Sequence, residues 1–167
     1  MGTKSSALFN ALDAASNAPD ASAIAGRVRV LTGNIALATG DLDASDIVKL
    51  APIPSNAVPL SIVFFNDELD GSANTLAIDV GLYDQDGNVE HVDAFADGDT
   101  SLRAAVTAGT ELICQDGADA IALYSKRIWE WAGLTEDDHK FHDICITFTG
   151  AGDTAGDLAF KITYVVD

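Results

Sequence analysis

Basic residues are the scarcest charged type in this sequence: nine Lys and Arg stand against 26 Asp and Glu, a formal charge of −17. Such a surface repels nucleic acid and anionic membranes, because phosphate binding relies on clustered Lys and Arg. Cysteine is scarce as well. Cys114 and Cys145 are too few for a disulfide framework and lack metal-ligand spacing. Each sits in an apolar run, so both are expected to be reduced packing residues. No apolar stretch approaches the length of a membrane span. No early segment joins a basic start to an apolar block, so no secretory signal is expected, and the chain should be made in the cytoplasm and stay soluble. What remains is hydrophobic: 48% of 167 residues, which argues against disorder and suits one domain with one core.

Period-two alternation dominates. In Thr75 to Tyr83, Leu76, Ile78, Val80 and Leu82 fall on one face of an extended chain. Asp84-Gln85-Asp86-Gly87-Asn88 follows and must turn, with Val89 to His91 starting the return strand. Other strand-like runs are Arg27 to Val30, Ile35 to Ala38, Ile47 to Leu50 (closed by Pro52 and Pro54), Val58 to Phe65, Glu111 to Cys114 and Ala120 to Tyr124. Ile144 to Thr149 and Phe160 to Val166 read as a closing hairpin around a Gly-rich loop. Two short helices are predicted: Thr100 to Val106 behind Asp99, and Lys126 to Ala132 behind Ser125, with Gly133 as its stop. About eight short strands with frequent turns and no fixed repeat predict a mainly β protein, an antiparallel β-sandwich of jelly-roll type.

Residues 1–25 differ from the rest. Leu8, Leu12 and Ala15 share a helical face, and a Ser/Asn/Pro stretch follows. The chain therefore divides into an N-terminal arm and linker, 1–25, and a single sandwich domain, 26–167. A short amphipathic helix needs a surface to lie on, either its own sandwich or a neighbouring subunit.

Catalytic groups do not stand out. Asp84, Asp86 and Asn88 match the first three ligand positions of a calcium loop, but Val89 replaces its glycine and Phe95 its closing glutamate. These three are the weak metal candidates, and a plain hairpin turn is the expectation, so no metal or cofactor is assigned. His139 and His142 lie in a polar stretch with Asp137, Asp138 and Asp143, expected to be a solvated loop. A cysteine hydrolase would need a thiol in positive surroundings, whereas these thiols neighbour aliphatics and acids. The expected role is not enzymatic. Trp129 and Trp131 either stack on a sugar, as in a carbohydrate-binding or host-attachment module, or plug one end of the sandwich with large apolar area.

One passage carries a resemblance. Gly26-Arg27-Val28-Arg29-Val30, then Ser45-Asp46-Ile47-Val48-Lys49-Leu50 leading into Pro52-Ile53-Pro54-Ser55-Asn56-Ala57, then the strand Val58 to Phe65, resembles in order a family of tailed-phage virion proteins. That family is encoded beside the major capsid protein and described as head decoration or structural proteins. The strand Thr75 to Tyr83 with its Tyr-Asp turn, the segment Lys126 to Leu134, and the loop Ala-Gly-Asp-Thr-Ala-Gly also look like the family's elements. The similarity covers residues 26–167. It implies a non-enzymatic cement protein on the outside of a capsid, contacting the major capsid protein and forming a homo-oligomer, a trimer by preference. On that reading Leu8, Phe9 and Leu12 of the arm are the expected anchors on capsid or subunit.

Overall fold

The computed structural model describes residues 26–115 and 118–166, apart from the side chains of 118–120. The arm residues Leu8, Phe9 and Leu12 lie outside the described residues. Eight strands run β1 (Arg27–Leu37), β2 (Ile47–Pro54), β3 (Val58–Asn66), β4 (Ala77–Tyr83), β5 (Val89–Asp99), β6 (Val106–Glu111), β7 (Phe141–Gly150) and β8 (Gly156–Val166). Two short helices, α1 (Ala118–Leu123) and α2 (Ile128–Trp131), fall between β6 and β7.

The strands form two four-stranded antiparallel sheets in the orders β1-β8-β3-β6 and β2-β7-β4-β5. Each strand of the first half thus pairs with its mirror counterpart in the second half. One long hairpin wrapped into two facing sheets gives this order, which is the jelly roll. The alternating apolar residues meet between the sheets: Ile62, Phe64, Ile78, Val80, Leu82, Ile144, Ile146, Phe148 and Ile162 are all buried there.

Several readings of the sequence need correction. The runs at Arg27 and Ile35 are one strand, because β1 pairs with β8 without a break from Arg27↔Val166 to Leu37↔Gly156. Gly33 permits this. A Cβ there would stand 2.6 Å from Phe160 Cζ, so only glycine lets that ring lie across the strand. Secondly, β7 and β8 are not a hairpin: they belong to opposite sheets, and residues 151–155 cross between them.

The third correction concerns Ala120 to Tyr124, which lies in and just beyond α1 instead of a strand. Fourthly, Thr100 to Val106 is a single 3-10 turn, Ser101–Arg103, before β6 begins at Val106. Asp99 does hold its start, accepting a hydrogen bond from the Ser101 amide at 2.8 Å. Fifthly, Glu111 ends β6, and Cys114 sits beyond it in a turn with φ 61°. By contrast, β2 continues past the expected proline stop because it is an edge strand, where a missing N–H removes no ladder bond.

Candidate interaction surfaces

The two ends of the sandwich are closed by different means. At one end, here the loop end, the β1–β2, β3–β4, β5–β6 and β7–β8 connections meet. Leu42, Leu69, Leu76 and Leu102, drawn from three of those connections, are fully buried there. Two carboxylates tie the loops. Asp70 accepts from the Asn74 and Leu76 amides at 3.0 and 2.8 Å. Asp153 accepts from the Gly71 and Ala73 amides at 2.8 and 3.2 Å, and from the Ser72 and Thr154 hydroxyls. The Ser72 and Thr154 hydrogen bonds, with those amides, hold the Asp153 carboxyl down at about 2.

At the other end, the helix end, α2 caps the core. Its first amides dock on the β2–β3 turn, Ile128 N on Ala57 O at 2.8 Å and Trp129 N on Ser55 O at 3.1 Å. Glu130 turns back to accept from the Arg127 amide at 3.0 Å, and Gly133, at φ 77°, stops the helix. Ile128 and Trp131 are fully buried, and the Trp131 ring lies 5.0 Å from that of Phe95, tilted by 41°. Trp129 is half-buried. The exposed pair of tryptophans that a sugar platform requires is therefore not formed; the residues plug the end.

Polar groups clasp this plug. His91 donates from Nδ1 to the Trp131 carbonyl at 2.6 Å, and Ser55 donates to Asp137 at 2.5 Å. His142 is buried, with Nδ1 at 2.5 Å from Glu90 and Nε2 at 3.2 Å from Asp138. This corrects the reading of the stretch as a solvated loop. His139 is exposed, but β7 starts at Phe141, and its pleat turns His142 inward. No sequence signal marks its partner Glu90, 52 positions away.

The candidate calcium residues do meet in one turn. Asp84 accepts from both the backbone and side-chain nitrogens of Asn88, each at 2.7 Å, and these bonds lower its pKa. Gly87, at φ 89°, completes the reversal. Asp84 thus closes the hairpin. Among the described residues, no group of three or more His, Cys, Asp or Glu is arranged to hold a metal ion. The thiols are poor nucleophiles: burial and the Asp143 charge push Cys145 up to about 12, and burial and Glu111 raise Cys114.

One lateral rim is open. Edge strands β1 and β2 flank a groove of about 520 Å³ lined by Ile35, Leu37, Asp41, Asp46, Ile47 and Lys49. Val28, Val30 and Ile47 along this rim are between 46% and 59% exposed, unusual for β-branched apolar residues. Lys49 Nζ pairs with Asp143 at 2.8 Å.

The titratable clusters of this two-sheet jelly roll knot loops and clasp a helix. No protein-family model and no curated protein matches the chain. Solved structures do share its fold. A chain in the cyanophage Pam1 capsid asymmetric unit matches at 18% identity and TM-score 0.56, over 86% of this chain and 88% of that one. A chain in the capsid of Ralstonia phage GP4 matches at 18% identity and TM-score 0.61, over 85% and 86%. Phage capsid structures thus contain this fold, in keeping with the resemblance read from the sequence.

Proposed function

We propose that the protein is a virion structural protein that decorates and stabilises the outside of a tailed-phage capsid, without enzymatic activity. The observation that carries this reading is the eight-stranded jelly roll, shared along almost its full length with chains of two phage capsid structures. The charge of −17 supports the exterior, since an inner, DNA-facing surface favours Lys and Arg. The raised Cys145 thiol and the buried Trp131 favour this role over hydrolysis or sugar binding.

In this role the partner is the major capsid protein, and Leu8, Phe9 and Leu12 of the arm supply apolar anchors. Co-sedimentation with DNA-filled capsids of the phage that encodes the chain tests it. Saturable binding that protects capsids from heat or chelator supports the reading. An absence of binding, or density for the chain only inside the shell in electron cryomicroscopy, overturns it. Deleting residues 1–25 should leave the sandwich folded and weaken capsid binding at least about tenfold.

A further inference from the structure

The sandwich has four edge strands, β1 and β6 in one sheet and β2 and β5 in the other. An edge presents unpaired backbone groups to any passing strand, and folds usually guard it with bulges, prolines, charges or shortness. Three of these edges are guarded. β2 carries Pro52, Pro54 and a register shift between Lys49 and Ala51. β5 is irregular against β4 and bears Glu90, Asp93, Asp97 and Asp99. β6 is only six residues long, with Gly109 at φ 89°.

β1 has neither bulge nor proline, is not short, and carries charge only at Arg27 and Arg29 near its start. It is eleven residues long, free of proline and acid, and unbroken in register with β8. Val28 and Val30 stand 59% and 54% exposed on its outer face, and among the described residues nothing pairs with its free edge.

We propose that β1 pairs antiparallel with β1 of a second copy of this chain across a two-fold axis, joining two β1-β8-β3-β6 sheets into one. Charge selects both the occupant and the direction. Arg27 and Arg29 are two of only nine basic residues in the chain. They are exposed at the start of β1, and among the described residues neither makes an ion pair. Asp41 and Asp46 line the groove beyond the strand's other end.

Antiparallel pairing centred on Thr32 sets Arg27 opposite Leu37 of the second copy and Arg29 opposite its Ile35. Opposed residues in such a pair share a face. Both arginines therefore lie on the row that borders the groove, beside Asp41 and Asp46 of the other copy. The two-fold axis repeats the contact. A parallel, in-register pairing would instead set arginine against arginine. The pairing rests on this edge and its charges, and holds whether or not the capsid reading does.

Sedimentation equilibrium of the full chain tests it. A dimer is expected, weakened at least about tenfold by Arg27→Glu with Arg29→Glu, and equally by Asp41→Lys with Asp46→Lys. An equimolar mixture of the two folded variants should recover the dimer, because each reversed patch then meets its opposite. Exchange of the β1 amides on the free edge, those not bonded to β8, should accelerate on dilution. A monomer or a trimer, a dimer indifferent to the arginine reversal, or folded variants that fail to recover in the mixture would overturn the proposal. So would β1 amides not bonded to β8 that exchange no more slowly in the dimer than in a monomer.

Discussion

The loop end and the helix end solve one problem, closing a sandwich, with opposite chemistry. The loop end spreads the closure over many groups. Four leucines fill it, and Asp70 and Asp153 gather the backbone amides of the β3–β4 loop. The helix end concentrates the closure in one large side chain, Trp131, on a helix of four residues that has little stability alone. Distributed closure tolerates the loss of any one member; concentrated closure does not.

The largest expected effect follows from this contrast. Trp131→Ala should cost about 3–5 kcal/mol, because the cavity beside Phe95 has only a short helix to collapse into it. Leu102→Ala at the loop end should sit near the lower part of the about 2–5 kcal/mol range for buried leucines. Denaturant unfolding of both variants measures the gap, and a Leu102 loss equal to that of Trp131 would remove the distinction. Trp131→Phe should lie between, since it keeps the ring contact and deletes an indole N–H that has no partner among the described residues.

A smaller effect sets two carboxylates apart by pH. Asp153 titrates at about 2 in the fold against an ordinary 3.8. Its contribution is therefore complete above about pH 4 and is lost as the pH falls through about 2. Asp153→Asn should lower the Tm at neutral pH, and the two melting temperatures should converge toward pH 2. Asp79 has the opposite sign: burial raises its pKa despite the hydrogen bond from the Gly98 amide. Wild-type stability at this site is complete at low pH and declines as the pH rises through the raised value. Asp79→Asn should give a small rise in Tm at neutral pH that disappears in acid. A uniform shift at every pH would assign the change to packing instead.

Much of the sandwich was legible because alternation marks a buried face. Leu76, Ile78, Val80 and Leu82 point to the core as their spacing requires. Alternation does not name the neighbouring strand. β7 and β8 look like a hairpin until the sheet order separates them, and β1 runs unbroken along β8, with Phe160, remote in sequence, covering Gly33. The acidic turn at Asp84 was readable from local chemistry alone. The buried setting of His142 was not, because Glu90 meets it only through the fold. Leu42, Leu69 and Leu102 follow no period, so nothing in their spacing signals that they close the loop end.

The place of β8 has a consequence for how the chain reaches this state. β8 lies between β1 and β3, so neither can complete its sheet until residues 156–166 have been synthesised. During translation β1 waits for a partner that is the last strand described to emerge. Pairing over such separations makes folding slow and leaves apolar strands open to association in the meantime. The sheet β1-β8-β3-β6 is thus expected to form after translation, zipped together by its final strand, while the local β4–β5 hairpin is free to form on the ribosome.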